Sequence, residues 1–327
     1  MPDGSLLPAC KATLKKEKGV WFRVITSIQL SRPEDYLSIY QSGCNHSCLK
    51  CHSWYFSQKF NGEWVSSEEL AVLAADYLEK VTVFEPRERA TMWHATDLCR
   101  HCGSCKLYGE RGPLCPMKLP PDKIVLSAQG FGPARNIVAF TGGDIACVAD
   151  YYVDTAELIK EHTGKKLWML LETNGYGLIE QNLETMQGAI DSFWLDIKAY
   201  NEETYRKLCG TTNKWILEVP QLAHDMGFTL EILTLFIPGI VETDQIVKIA
   251  ELVKNVDPKI PFTLLAFFPE YKLKHVRPPT LYEMVKTYYA IKEVGLENIK
   301  LGNCHIFAKT EEEWRKLLLL VDVEAIG

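Results

Sequence analysis

Three cysteines near the start of the chain have the type and spacing to do chemistry. Cys44, Cys48 and Cys51 follow an apolar run, LSIYQSG, in the order Cys-x3-Cys-x2-Cys. Three thiolates on one loop can hold three irons of a [4Fe–4S] cluster, which leaves the fourth iron open to an outside amine and carboxylate. Zinc is the alternative, because zinc takes four ligands and His46 or His52 could be the fourth. The spacing predicts a metal centre and leaves zinc open.

A second group of cysteines follows about fifty residues later. Its members are Cys99, Cys102, Cys105 and Cys115, and a proline comes directly after the last one. The run is similar to that of a bacterial ferredoxin, except that nine residues precede the fourth cysteine where ferredoxins have three. Four thiolates would coordinate every iron, so we expect a closed auxiliary [4Fe–4S] cluster that serves structure or electron transfer. A zinc knuckle formed by the same four residues stays open.

The elements that must position these cysteines show a regular order in the second half of the chain. From about residue 137, short apolar runs alternate with helical periods; the runs are IVAFTGG, KLWMLLETNG, SFWLDIK, FTLEILTLFIPG, FTLLAFFP and NIKLGN. Continuous apolar runs are typical of parallel strands that are covered on both faces. Strand–helix units repeated with right-handed crossovers form a TIM-like barrel. Six such strands predict an α/β fold, a partial TIM-type (β/α)6 barrel.

The segment 85–126 interrupts this rhythm. It contains the second cysteine group together with charged residues, histidines, glycines and prolines, and it shows little apolar periodicity. Such a segment cannot bury enough apolar surface to offset its ordering entropy, so a metal cluster would hold it together. We therefore expect an inserted ferredoxin-like iron–sulfur segment at 85–126. The other predicted units are an N-terminal extension (1–36), the partial barrel (37–310) and a C-terminal helix (311–327).

Composition bounds the class of protein. The chain has 327 residues, a formal net charge of −6 and 47% hydrophobic residues, which is ordinary for a globular protein and gives no basis for binding nucleic acid. It contains no apolar run of 18 residues and begins with a polar stretch, so we expect no membrane span, no signal peptide and a cytoplasmic location. Seven of the eleven cysteines are clustered, which favours metal ligands over a disulfide framework.

Polar and glycine residues follow three consecutive strands of the predicted barrel. Because the carboxyl ends of the strands build the active site of an α/β barrel, we expect these residues to converge. Glycines there allow the backbone to approach a ligand closely, and carboxylates accept hydrogen bonds from an amine or from ribose hydroxyls. The candidate residues are Thr141, Gly142, Gly143, Asp144, Glu172, Asn174, Asp196 and Lys198.

The run CNHSCLKC after a strand, followed by these strand-end elements in this order, resembles the radical S-adenosylmethionine (SAM) superfamily and its pyruvate formate-lyase activating enzyme group. The resemblance covers about residues 20–306. It implies that the first three cysteines hold a [4Fe–4S] cluster chelated by SAM and that the segment 141–144 holds the methionyl amine. It also implies that the ribose and the carboxylate of SAM are bound by Glu172, Asn174, Asp196 and Lys198. Two positions depart from the family: Asp144 stands where Glu is usual, and Lys50 where an aromatic residue is frequent.

The resemblance implies a function in which SAM is cleaved reductively to a 5′-deoxyadenosyl radical. The radical abstracts hydrogen from a peptidyl carbon of a protein or peptide substrate, as in glycyl radical activation, and a ferredoxin or flavodoxin supplies the electron. The sequence assigns no further catalytic residue. One alternative is a cobalamin-dependent methylase of a peptide carbon, such as a modifier of methyl-coenzyme M reductase, with Cys304 and His305 beside the cobalamin. A small-molecule substrate and a non-enzymatic iron–sulfur electron carrier are the others.

Overall fold

The structure is a computed structural model that describes residues 7–327. Its strands are β1 (Leu14–Glu17), β2 (Val20–Leu30), β3 (Leu37–Gln41), β4 (Glu63–Ser66), β5 (Val125–Ser127), β6 (Gly130–Gly132), β7 (Ile137–Gly142), β8 (Trp168–Thr173), β9 (Ser192–Asp196), β10 (Thr229–Phe236), β11 (Phe262–Ala266) and β12 (Ile299–Gly302). Its α-helices are α1 (Ala9–Ala12), α2 (Trp54–Ser57), α3 (Ser67–Leu78), α4 (Ser104–Leu107), α5 (Ala149–His162), α6 (Glu180–Met186), α7 (Glu202–Cys209), α8 (Val219–Asp225), α9 (Thr243–Val256), α10 (Leu281–Val294) and α11 (Glu311–Leu320).

One mixed sheet of ten strands organises the molecule. Its order is β1-β2-β3-β7-β8-β9-β10-β11-β12, with β4 paired to β2. The strands from β3 to β12 in this order are parallel, whereas β1, β2 and β4 pair antiparallel at one end. Within residues 7–327 the sheet does not close on itself, so the expected α/β fold with a partial barrel is confirmed. The parallel part has seven strands, because β3, the run before the first cysteine, joins the six that the apolar pattern predicts.

Helices cover the outer face of the parallel strands and set the chain's return to the next strand. The inner positions of α9 (Ile246, Ile249, Ala250 and Val253) are buried, at the spacing expected for a helix with one apolar face. A capping box between Thr280 and Glu283 fixes the start of α10. Among the helices of residues 7–327, none combines the length and the hydropathy that crossing a membrane requires.

The first part of the inserted segment fills the inside of the sheet at the amino ends of the strands. The Ser192 hydroxyl donates to the Ala90 carbonyl (2.6 Å), and the Trp93 backbone N–H donates to the Glu231 carboxylate (2.7 Å). Both strand residues lie at the start of their strands, so the segment closes this end of the open barrel. The carboxyl ends of the strands, where the candidate residues lie, are left to form a site.

Lys300 anchors the first part of the inserted segment, here called the plug, from inside the sheet. Its side chain is 3% exposed, and its ammonium donates to the Trp93 carbonyl (2.5 Å), the Thr96 hydroxyl (2.8 Å) and the Asp97 carboxylate (2.9 Å). The same ammonium lies 3.7 Å from the centre of the Trp93 ring. A buried ammonium is stable only when its donors are satisfied, so Lys300 and the plug depend on each other.

The chain's last residues meet both the sheet and the insertion. Ile326 forms a parallel bridge with Leu301 of β12, and the Gly327 backbone N–H donates to the Leu301 carbonyl (2.7 Å). Arg100 of the insertion donates to the carbonyls of Ile326 and Val323. The end of the chain therefore lies along the edge strand β12 and holds the insertion against it.

We predict that Lys300→Met destabilises the protein by about 2–4 kcal/mol, because it leaves the acceptors around the ammonium without a donor. The measurement is the free energy of unfolding in urea under anaerobic conditions. Lys292→Met is the matched control, since Lys292 is exposed and lies 4.0 Å from its acidic neighbour Asp322; we expect it to change stability by less than about 0.5 kcal/mol. Equal effects of the two substitutions would contradict the anchoring role of Lys300.

Candidate active site

The carboxyl ends of four neighbouring strands and the cysteine loop enclose one cavity of about 220 Å³. The cysteine loop follows β3, and the other walls come from the ends of β7, β8 and β9. The predicted residues that line this cavity are Cys44, Cys48, Cys51, Thr141, Gly142, Asp144, Glu172, Asn174, Asp196 and Lys198. Of the predicted set, Gly143 lies behind this wall and acts through the backbone.

Gly143 is the point at which the cysteine loop and the end of β7 touch. A Cβ atom at this position would lie 2.3 Å from the Gly43 carbonyl oxygen and 2.7 Å from the Gln41 carbonyl oxygen. Atoms cannot approach so closely, so only glycine allows the two backbones to meet. The Asn45 backbone N–H also donates to the Asp144 carbonyl (2.8 Å). Together these contacts set the position of the cysteine loop against the sheet.

Arg23 holds this contact together from below. The side chain is fully buried, and its guanidinium donates to the carbonyls of Gly43 (3.1 Å) and Gly143 (3.2 Å), and to the Thr13 carbonyl (3.0 Å). Burial lowers the pKa of Arg23, while nearby groups that include Asp144 act in the opposite direction. Sequence analysis missed this residue, although a lone charge in the apolar run VWFRVI was a usable signal.

Glu172 joins β7 and β8 across the cavity wall. One carboxylate oxygen accepts a hydrogen bond from the Tyr36 hydroxyl (3.0 Å), and the other accepts one from the Thr141 hydroxyl. Burial raises the pKa of Glu172 from its ordinary 4.5 to about 8. The group is therefore largely protonated at neutral pH and can also donate a hydrogen bond.

The Asp144 carboxylate already accepts hydrogen bonds from other groups of the protein. It accepts hydrogen bonds from the Ala146 backbone N–H (2.7 Å), the Thr173 hydroxyl (2.7 Å) and the Asn174 backbone N–H (2.9 Å). Burial raises its pKa, although these donors oppose the shift. Asp144 thus ties the turn after β7 to the turn after β8. Its contact with a methionyl amine remains a prediction.

Asp196 and Lys198 form an ion pair on the opposite wall. Burial alone would raise the pKa of Asp196, but the ammonium groups of Lys198 and Lys50 outweigh it and hold the pKa below its ordinary value. Oδ1 of Asp196 is buried and has no hydrogen-bond partner within residues 7–327. A buried acceptor without a donor is costly, so this oxygen is suited to a hydroxyl of a bound ligand.

The environment of Cys44 suits a thiolate ligand. The His46 backbone N–H points at its sulfur (3.5 Å), and the Asn174 side-chain amide lies 3.8 Å from the same sulfur. Burial raises the pKa of the Cys44 thiol to about 12, so the thiol is protonated when no metal is bound. Metal binding would displace that proton, as it does at thiolate sites in general.

His46 does not offer a free nitrogen to a metal. One ring nitrogen faces the Asn45 side-chain oxygen (2.9 Å), and the other lies between the hydroxyls of Tyr205 (2.9 Å) and Thr211 (3.0 Å). Burial lowers the pKa of His46 to about 3, which keeps the ring neutral. The alternative of a zinc site completed by His46 is disfavoured, because both nitrogens already have partners. No group of three or more His, Cys, Asp or Glu side chains within residues 7–327 is drawn together around the position of a single metal ion.

The second cysteine group also converges. Cys99, Cys102, Cys105 and Cys115 line one small pocket walled by apolar residues that include Phe131. The sulfurs of Cys102 and Cys115 are 3.5 Å apart, and the pocket has a free volume of about 10 Å³. The donor set, four thiols, matches an iron–sulfur cluster, but the side chains must separate to admit one.

A larger cavity of about 650 Å³ adjoins the first. The two share the walls formed by Lys50, His52, Trp194 and Leu265. The larger one is otherwise mostly apolar, and Cys304 and His305 lie on its wall. The Cys304 thiol is buried and donates to the Leu301 carbonyl (3.3 Å).

Comparison with known families bears on this arrangement. Residues 96–253 match the family model described as the Radical SAM superfamily. The match spans just under half of the chain, 158 of its 327 residues. The matched region contains the second cysteine group and the strands β7 to β10, and the family that it describes implies a [4Fe–4S] cluster and SAM as cofactors.

The chain is also similar to proteins named as activating enzymes. It is 26% identical over 170 residues to a Methanocaldococcus jannaschii protein named as a glycyl-radical enzyme activating enzyme; the alignment covers 51% of this chain and 63% of that protein. It is 26% identical over 199 residues to the pyruvate formate-lyase-activating enzyme of Streptococcus mutans, covering 56% and 75%. A domain of a pyruvate-formate lyase-activating enzyme from Bacteroides vulgatus gives a TM-score of 0.43 at 16% identity, covering 51% and 98%.

We predict that Gly143→Ala disrupts the cysteine loop, because its Cβ would clash with the Gly43 carbonyl. The expected result is SAM binding weakened by at least about tenfold, with less iron held per chain. Calorimetry and iron analysis on anaerobically reconstituted protein measure both. The control is Gly227→Ala, a position with a φ of +81° and open space around it. If both variants bind SAM as the parent does, the close contact is not required.

We also predict that Glu172→Gln changes the pH dependence of stability. Because the pKa of Glu172 is raised on folding, the unfolded chain loses this proton at a lower pH than the folded chain does. The folded state therefore loses stability as pH rises from 5 to 9, and the Gln variant does not suffer this loss. The difference in unfolding free energy between variant and parent should shift in favour of the variant by on the order of 2–4 kcal/mol. Urea denaturation of cluster-free protein at both pH values measures it, and parallel pH curves would rule the assignment out.

Proposed function

We propose that this radical SAM protein cleaves SAM reductively and uses the resulting radical to abstract hydrogen from a peptidyl carbon of a protein or peptide substrate. The observation that carries the proposal is the junction of two cavities. The three thiols and the strand-end polar groups face the smaller one, and the larger, mostly apolar one shares a wall with it. A cofactor in the first cavity would therefore lie directly beside a substrate in the second.

The protein's own residues would bind and orient the cofactor. Cys44, Cys48 and Cys51 are the ligands for the cluster, and the free oxygen of Asp196 is placed to accept a hydrogen bond from SAM. When bound, a reduced [4Fe–4S] cluster supplies the electron that splits SAM into methionine and a 5′-deoxyadenosyl radical. Burial shifts the pKa values of His46 and Glu172 toward their neutral forms, so these two wall residues add little charge to this place.

A protein substrate is supported by two observations. The larger cavity, of about 650 Å³, has room for a side chain of a protein segment, and its wall is mostly apolar and aromatic. Two relatives are named as activating enzymes, one for a glycyl-radical enzyme and one for pyruvate formate-lyase. A radical at a peptidyl carbon forms when the 5′-deoxyadenosyl radical takes its hydrogen atom and becomes 5′-deoxyadenosine.

The second cysteine group is proposed to hold an auxiliary [4Fe–4S] cluster. Cys102 is exposed, whereas Cys99, Cys105 and Cys115 are buried, so one side of such a cluster would approach the protein surface. The segment 99–126 contains five Lys and Arg residues and two Asp and Glu residues, against a net charge of −6 for the chain. That local positive charge suits an acidic one-electron donor such as a ferredoxin or flavodoxin.

We predict that the anaerobically reconstituted, dithionite-reduced protein forms 5′-deoxyadenosine and methionine from SAM. Cys44→Ala should abolish product formation, because one of the three cluster ligands is lost, whereas Cys147→Ala, an exposed cysteine outside both groups, should retain it. Liquid chromatography measures both products. Failure of the reduced parent protein to cleave SAM would remove the catalytic proposal and favour an electron carrier.

The substrate part of the proposal needs a separate readout. With a glycyl-radical partner protein and SAM, the proposal expects a glycyl radical doublet in the electron paramagnetic resonance spectrum. Stoichiometric uptake of added cobalamin together with methyl transfer to a peptide would instead identify the methylase. Both experiments use protein that has been shown to cleave SAM. Failure of the substrate proposal is therefore distinguishable from failure of the SAM-cleavage proposal.

A further inference from the structure

A carboxylate in the larger cavity has no partner. Glu34 lies in the turn between β2 and β3 and lines the 650 Å³ cavity. Its Oε2 atom is buried without a hydrogen-bond donor within residues 7–327. Burial raises the pKa of Glu34, and the neighbouring carboxylate of Asp35 raises it further. A buried carboxyl in this state costs stability unless a ligand completes it.

The cations near Glu34 are engaged elsewhere. Arg32 pairs with Asp35, and His101 also contacts Asp35 (2.9 Å). Arg135 pairs with Glu85 and gives Glu34 only a bond to its backbone carbonyl (3.2 Å). None of these cations forms an ion pair with the Glu34 carboxylate, so in the described part of the chain its Oε2 atom lies at the cavity wall without a donor.

The other charged groups on the cavity wall lie toward the SAM side or at the rim. Four groups act on Lys50: Cys48 lies in the cysteine loop, Asp196 and Lys198 lie at the end of β9, and Cys209 ends α7. His52 is 74% exposed and bound to Glu270. Lys50 thus marks the boundary with the smaller cavity, whereas Glu34 is influenced by Asp35, His101 and Arg32 beside the insertion.

Most of the remaining wall is apolar and rich in aromatic side chains. It includes Met92, Trp194, Phe267, Phe268 and Trp314. An alkyl chain would pack against such a wall, and aromatic faces also attract a cation. A ligand that combines an apolar stem with a positively charged end would therefore satisfy both the wall and the carboxylate.

We propose that this cavity binds an alkylammonium or alkylguanidinium group, such as the end of a lysine or arginine side chain, and that Glu34 recognises the positive charge. The inference rests on the proposed function, since it names the substrate group that enters the cavity beside SAM. Glu34 would act as a specificity residue and take no part in cleaving SAM.

The test uses the anaerobic holoenzyme with SAM bound and measures affinity by calorimetry. The probes are N-acetyl-lysine amide and N-acetyl-norleucine amide, which differ by the ammonium group. We expect the lysine probe to bind at least about tenfold more tightly. In Glu34→Gln this preference should fall to within about twofold, because the amide keeps the shape and removes the charge. Glu157→Gln, a change at an exposed carboxylate on α5, should retain the parent's preference.

Two further arms separate the causes. One arm compares the peptide Gly-Gly-Lys-Gly-Gly with free pentylamine and shows whether a peptide side chain or a small amine binds more tightly. The other compares each of these two probes with its uncharged analogue, and tighter binding of the charged probe supports recognition of the cation. SAM binding and formation of 5′-deoxyadenosine by Glu34→Gln should equal those of the parent, which shows that the variant is folded. If the parent cleaves SAM yet binds both N-acetyl probes equally, or if Glu34→Gln keeps the preference, the inference is overturned while the proposed function stands. If the parent fails to cleave SAM but keeps the preference, the proposed function fails and the cation site remains.

Discussion

The contact between the backbones of Gly43 and Gly143 is the constraint on which the site depends. It places the cysteine loop against the end of β7 at a distance that excludes any side chain at Gly143. The carbonyls of Gly43 and Gly143 also share one donor, the buried guanidinium of Arg23. The donor set of the loop and the ligand-binding groups of the strand ends therefore take up one fixed geometry, as a preorganised site requires.

The amino ends of the strands and the walls of the two cavities differ in how their buried polar groups are paired. At the amino ends of the strands, polar side chains such as Lys300 and Glu231 are satisfied by the inserted segment, which makes that end a stable plug. Along the walls of the two cavities, Asp196 at the end of β9 and Glu34 in the turn before β3 keep oxygens without donors among residues 7–327. Unsatisfied buried groups lower stability, so these two oxygens are the expected cost of a binding site.

The inserted segment contacts both the turn before β3 and the last residues of the chain. His101, between two of its cysteines, contacts Asp35 in the turn before β3, and Arg100 contacts the last residues of the chain beside β12. The turn that carries Glu34 is thus shared between the insertion and the large cavity. A change at the second cysteine group would reach the cavity through this turn.

The sequence by itself determined the fold class, the two cysteine groups and the list of strand-end residues. It could do so because continuous apolar runs specify buried parallel strands and because spacing between thiols is a local property. It did not show that Asp144 spends its carboxylate on the turns around it, that His46 is closed to a metal, or that Arg23, Glu34 and Lys300 matter. Each of these outcomes depends on which distant segments supply donors and acceptors to a buried group. That pairing is decided only when the chain folds. Burial removes water from these groups, so a partner from another segment becomes favourable wherever the fold supplies one.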